Sequence, residues 1–256
     1  MKIFRSVALA FSLFSRLPAP KVTWEPESMR YALAALPLVG LVVGAVLGGW
    51  AWICGALAFG KTLFAAGMTL LPLLVSGGIH MDGFCDTVDA LSSHASPERK
   101  REILKDPHAG AFAVVGAAAY LLAAFALYTE LPVQPRTILL ACLIPAGARA
   151  AGALISFFSA SDGAGLLHAL RGASAKRAAI IALAVWCVLL AAGLMVVSPL
   201  AGGGMALLVA ISALLTLRMA KKQFGGMSGD IAGFCIQACE LAMLGGLIFL
   251  SKAVPV

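Results

Sequence analysis

Three aspartates, Asp82, Asp86 and Asp89, stand at i, i+4 and i+7 within residues 77–116, GGIHMDGFCDTVDALSSHASPERKREILKDPHAGAFAVVG. On a helix this spacing sets all three carboxylates on one face, a turn apart. Like charges stacked in this way repel, so the arrangement costs stability unless a cation sits among them. Hard oxygen donors with no accompanying Cys/His pattern suit Mg²⁺, with Mn²⁺ as the alternative. The competing reading is a solvated acidic face. Gly83, Phe84, Val88 and Leu91 speak against it, because they leave little of this helix freely solvated. The stretch is the one long polar island of the chain. With Glu98, Glu102 and Asp106 it holds half of the 12 acidic residues.

Basic groups follow the acids. Arg99, Lys100, Arg101 and Lys105 lie on the next expected helix, where Arg101 and Lys105, at i and i+4, share a face. Positive charge beside a metal–carboxylate cluster is what a pyrophosphate substrate needs. Ordinary cytoplasmic-side charge is the other explanation. Asp106, just before Pro107 and Gly110, is either a helix cap or part of the site. His80 is either structural or a phosphate contact or base.

A later stretch, GGMSGD at 225–230, echoes GGIHMD at 77–82 as GGxxxD. Asp230 and Asp82 therefore follow two glycine pairs, and the two helix ends could face one pocket. Glu240 falls ~15 Å into the last apolar span. An acid at that depth pairs or lines a cavity, and Arg149, in PAGARA, is its expected partner. The pair reads either as a structural tie or as a substrate contact.

The elements that must position these groups are membrane helices. Of the 256 residues, 61% are hydrophobic and only 12% charged, against roughly 45–50% and 25% in soluble domains. The apolar runs are long and continuous, without the short alternation of barrel strands. The expected fold is an all-α, polytopic bundle forming one integral membrane domain, 1–256, of about seven spans. The spans are expected at 33–57, 62–80, 110–129, 138–158, 178–197, 203–217 and 232–250. Residues 1–30 comprise an amphipathic helix lying in the interface, with Ile3, Phe4, Val7, Phe11 and Phe14 on its apolar side, and a proline-rich connector ending in an N-cap at Ser28. The six cysteines are scattered, mostly in apolar runs, and disulfides are not expected.

The net charge of +7 reflects membrane topology and not nucleic-acid binding. Lys and Arg crowd the N-terminal region and the loops after spans two, four and six. The opposite side carries Lys61, Arg136 and Lys252. This asymmetry expects a multi-pass protein with a cytoplasmic N-terminus and an external C-terminus, with 77–116 as a catalytic segment facing the cytosol. Asp162 and Asp230 fall on the same side as the aspartate cluster.

A metal cluster with basic residues at a membrane surface points to phosphoryl transfer. Membrane alcohol phosphotransferases of the CDP-alcohol type carry DGxxAR before GxxxDxxxD. This chain has DGFCD and lacks the AR step, so it is not an ordinary member of that group.

GGIHMDGFCDTVDAL with REILKDPHAGAFAVVG closely resembles the signature of the cobalamin synthase, or adenosylcobinamide-GDP ribazoletransferase, family. The early FSRLPAP and the late GGMSGDIAGF resemble its other landmarks. The resemblance implies a Mg²⁺-dependent enzyme of the bacterial inner membrane. It would join α-ribazole, or its 5′-phosphate, to adenosylcobinamide-GDP, releasing GMP and forming adenosylcobalamin or its phosphate. It further implies Asp82, Asp86 and Asp89 as metal ligands, Arg101, Lys105 and Asp106 around the diphosphate, and Asp230 completing the metal site or acting as base. Ala90, Cys85 and Pro107 depart mildly from the pattern. The alternatives are another metal-dependent membrane alcohol phosphotransferase, or a secondary transporter using Glu240 and Arg149.

Overall fold

The computed structural model describes residues 2–160 and 165–253, and Asp162 lies outside them. Six helices are long and apolar enough to cross a membrane: α3 (Leu36–Ala56), α7 (Ala111–Glu130), α8 (Pro135–Ser156), α10 (Lys176–Val197), α11 (Pro199–Phe224) and α12 (Gly229–Ala253). A shorter pair, α4 (Lys61–Ser76) and α5 (Ile79–Ser92), completes the count of seven only if read as one broken span, because the two axes are bent by 96°. The remaining helices are α1 (Lys2–Phe14), α2 (Pro26–Met29), α6 (Pro97–Ile103) and α9 (Gly165–Ala173). The all-helical bundle expected from hydropathy is therefore present.

Between helices in a bilayer there is no hydrophobic driving force, so association relies on close contact of small residues and on polar ties. The α3–α8 pair shows the first device. Gly40 and Gly44 stand four apart on α3. A Cβ at Gly40 would lie 2.5 Å from Ala146 Cα, and one at Gly44 would overlap the carbonyl of Cys142. The Ala-rich stretch of α8 meets that glycine stripe, and Ala141, Ala146, Ala148 and Ala150 are fully buried. The second device ties α8 to α12. Arg149 Nη1 donates to Glu240 Oε1 at 2.7 Å and to the carbonyl of Pro145 at 3.0 Å. The six cysteines are free thiols.

Four expected boundaries shift, each for a local reason. The second span ends at Ser76, four residues early, because Gly77 and Gly78 both adopt left-handed backbone angles, φ +66° and +79°. Such angles are open to glycine at little cost and stop a helix. The Gly77 and Gly78 N–H groups close the turn on the carbonyls of Leu74 and Leu73. The sixth span begins earlier and runs on past Arg218, Lys221 and Lys222 to Phe224, since those residues are good helix formers whose charged ends reach outward. It stops at Gly225, again left-handed. Ser28 is not a cap for the first span but lies inside the short α2, and α3 starts at Leu36.

α1 departs from a simple interfacial helix. Ile3 and Phe4 are exposed, as the interfacial reading requires, but Ser6, Leu9, Ala10 and Phe14 are buried against the bundle. The Ser6 hydroxyl accepts from the Tyr31 N–H at 3.3 Å. The helix is thus half anchor and half wall.

Replacing Gly44 with Ala should force α3 and α8 apart. A loss of about 1–3 kcal/mol, typical of overpacking against backbone, is expected as a lower midpoint of thermal unfolding in detergent, while Gly49→Ala, which meets open space, should leave it unchanged.

Candidate functional site

The sharp turn at Gly77–Gly78 sends α5 across the bundle and onto α12. The crossing is a backbone contact. A Cβ at Gly83 would lie 2.7 Å from both the Cα and the carbonyl oxygen of Asp230, and a Cβ at Gly233 would lie 3.0 Å from the carbonyl oxygen of His80. Phe84 stacks on Phe234, with centroids 5.4 Å apart and planes within 7°, and Tyr120 of α7 closes on the same ring at 5.3 Å. The two GGxxxD stretches thus do meet, through α5 and the first turn of α12. The second glycine pair itself serves to end α11.

This crossing brings Asp230 to the aspartate face of α5. Asp82 is exposed, while Asp86, Asp89 and Asp230 are half-buried. Partial burial comes first, and the charges of Asp82, Asp230 and Asp89 second, in raising the Asp86 carboxyl to about 6. Asp89 lies against Gly110, the residue before α7, where a Cβ would overlap its carboxylate. The Ser228 hydroxyl donates to Asp230 Oδ2 at 3.3 Å.

The carboxylates have the chemistry of a divalent-cation site. They are hard oxygen donors on facing elements, and after burial it is the neighbouring acids that raise Asp86. As the side chains stand, no three His, Cys, Asp or Glu among the described residues already converge closely enough to hold an ion. The backbone contact of Gly83 with Asp230 nonetheless sets the α5 aspartates beside the start of α12.

Asp82 and Asp230 stand on the rim of a cavity of about 540 Å³, with Lys105 and Ser228, and the buried His80 also lines it. The rest of its wall, apart from Ser156, is apolar and comes from α1, α3 and the turn before it, α5, the end of α8, α9 and α12. The ends expected on one side of the membrane are therefore gathered at one site.

The basic residues divide. Lys105 lines both the main cavity and a small neighbouring cleft containing Arg101, Ser228 and Asp230. Arg101 donates from Nη1 to the carbonyl of Phe224 at 2.8 Å, capping the C-terminus of α11, and reaches Glu98 at 3.5 Å. Lys100 is buried and donates to Gln223 at 2.5 Å. These two contacts pin α6 to α11. Asp106 is exposed and accepts from both the backbone N–H and Nδ1 of His108, at 2.9 and 2.8 Å, which hold its carboxyl below the usual range. It faces its own turn. Arg149 and Glu240 are paired inside the bundle, away from the main cavity, where Glu240 lines a much smaller one with Tyr120, Tyr128 and Gln237.

Sequence reasoning missed the apolar wall, in which Leu33, Leu36, Leu166, Leu170 and Ile236 converge from distant segments. Nothing in their spacing marks them. It also missed Gly83 and Gly233 as the contact, although a glycine inside each polar helix start was visible.

A protein-family model described as cobalamin-5-phosphate synthase matches residues 6–248. Among curated proteins, the chain is 37% identical to the adenosylcobinamide-GDP ribazoletransferase of Lachnoclostridium phytofermentans, over 99% of this chain and 97% of that one. It is 32% identical to the protein of that name from Geobacillus kaustophilus, over 96% of each chain. It is 33% identical to that from Azorhizobium caulinodans, over 98% of each. No solved structure matches.

Two outcomes follow from the site's electrostatics. A carboxyl raised in the folded state binds protons there that the unfolded chain does not, so stability rises as pH falls through the folded value. Metal-free protein should therefore unfold at a higher temperature at pH 5 than at pH 7, and Asp86→Asn should flatten that difference. Breaking the buried pair with Arg149→Met strands the Glu240 charge and should cost about 3–5 kcal/mol. The double variant Arg149→Met/Glu240→Met should recover much of that loss in the same thermal measurement.

Proposed function

We infer function from membership: the chain belongs to the cobalamin-5-phosphate synthase family. We propose that it is an adenosylcobinamide-GDP ribazoletransferase. In this reading a ribose hydroxyl of α-ribazole, or of its 5′-phosphate, attacks the corrinoid-side phosphorus of the diphosphate. A new P–O bond forms, the bond from that phosphorus to the bridging oxygen breaks, and GMP leaves with that oxygen. The proton of the hydroxyl passes to a base, and the product is adenosylcobalamin or its 5′-phosphate.

The observation that carries the reading is the placement of the α5 carboxylates against Asp230, on the rim of a cavity that also bears Lys105. Asp82, Asp86 and Asp89 are the proposed holders of Mg²⁺, with Asp230 completing the set from α12 or taking the hydroxyl proton. A bound ion would supply charge neutralisation for the diphosphate and for the leaving phosphate. Lys105 is the free-reaching cation for the diphosphate. Arg101 acts more through its hold on α11, which fixes the approach to Ser228 and Asp230. Crowding of the acids at one end of the bundle, with Glu240 already tied to Arg149, supports transfer over transport. The charge asymmetry supports a cytosolic face for that end.

Purified protein given adenosylcobinamide-GDP, α-ribazole and Mg²⁺ should release GMP, and a chelator should stop it. Asp82→Asn, Asp86→Asn and Asp89→Asn should each lower turnover by several orders of magnitude, a loss on the order of several kcal/mol of barrier, with unchanged extraction and with thermal unfolding at pH 7 at no lower a temperature than in the wild-type protein. Near-normal turnover in all three would remove these residues from the mechanism.

A further inference from the structure

The main cavity has a feature that the transfer chemistry does not use. Away from its rim the wall is apolar, contributed by residues such as Phe14, Leu36, Leu167, Leu170 and Ile236. The hydroxyl of Ser156, which also lines it, is already donated to the carbonyl of Ala153 at 2.7 Å. His80 is the exception. Its side chain is 4% exposed, and its Nε2 has no hydrogen-bond partner. Of the buried polar side-chain atoms left without a partner among the described residues, it alone belongs to a residue of this wall. The Phe14 ring lies nearly parallel to the imidazole, with centroids 6.1 Å apart and planes within 17°, and lines the same space.

An orphan buried donor or acceptor has lost its water without gaining a partner, a cost that a ligand carrying the complementary atom removes. Away from the rim the cavity asks for an apolar ligand group with a single hydrogen-bonding atom. We propose that it seats the base of the acceptor nucleoside, and that His80 Nε2 is the partner of that base's one free ring nitrogen. The inference rests on the transferase reading above and names which substrate occupies this space. The dimethylbenzimidazole of α-ribazole is a flat bicycle with two methyl groups and one ring nitrogen able to accept. The other candidates fit less well. Guanine carries several donors and acceptors that these walls would leave unpaired. The corrin macrocycle with its amide arms is far larger than 540 Å³ allows beside the walls described. With the base inside, the ribose reaches the rim, where Asp82, Asp230 and Lys105 stand. His80 is on this reading a binding residue for the base, and neither a phosphate contact nor the general base.

The test is equilibrium binding by calorimetry to the full-length protein in nanodiscs, without metal or corrinoid. The probes are α-ribazole and its indole analogue, in which the accepting ring nitrogen is replaced by C–H. The wild-type protein should bind α-ribazole about tenfold more tightly than the analogue, the factor expected for one buried hydrogen bond. His80→Ala should bring α-ribazole down to the analogue's affinity and leave the analogue's own affinity unchanged. Leu170→Trp, which fills the apolar part, should weaken both ligands. Equal affinity of the wild-type protein for the two ligands, or no binding of α-ribazole, would overturn the proposal, and neither result depends on a variant folding. GMP release by the same preparation separates the two levels. Release together with equal affinities overturns only the seat of the base, whereas a tenfold preference without release keeps the seat and removes the transferase reading.

Discussion

The site depends on one contact, the backbone-to-backbone crossing of α5 over α12. Glycine at 83 and 233 lets the two helices approach to a distance that no side chain would permit. A contact of this kind cannot be relaxed by turning a rotamer, so it fixes where Asp82, Asp86 and Asp230 begin. The carboxylates then repel one another, and partial burial first and that repulsion second raise the Asp86 carboxyl to about 6. The packing must hold these charges together, and it does so with the Phe84–Phe234–Tyr120 cluster on one flank and the glycine contact on the other.

Other features of the bundle serve the same end. α12 is tied at depth by the Arg149–Glu240 pair, and the preceding α11 is capped by Arg101 and gripped by Lys100 through Gln223. A buried ion pair is weak support for stability when weighed against apolar packing of equal shape, and its value lies more in fixing which residues face each other. Here it sets the register of α8 against α12. Both helices supply wall to the cavity, so that register decides the cavity's shape.

Much of this was legible in the sequence. The long apolar runs gave the spans, since backbone groups in lipid must be paired within the helix itself. The i, i+4, i+7 aspartates lie on one helix as read, and Glu240 does find Arg149. The GGxxxD echo does bring Asp82 and Asp230 to one pocket. Less legible was the role of each basic residue. Arg101 and Lys105 are equivalent by spacing, yet one caps α11 and the other faces the cavity. The end of α11 was misjudged because hydropathy falls at Arg218 while helix propensity does not. The glycine stripe Gly40–Gly44 could have been read as a helix-packing face from its spacing alone.

What the sequence determined by itself was local: which segments are helical, which faces carry charge, and where glycine breaks a helix. These follow from properties of a residue and its near neighbours. Only the tertiary structure decided which faces meet. The 96° turn could have sent α5 toward any neighbour, and its choice of α12 rests on two glycines 150 residues apart. The cavity follows from the same choice. Its walls are leucines and isoleucines that no local pattern distinguishes from those facing lipid, because in a bilayer an apolar side chain is equally at home in either place.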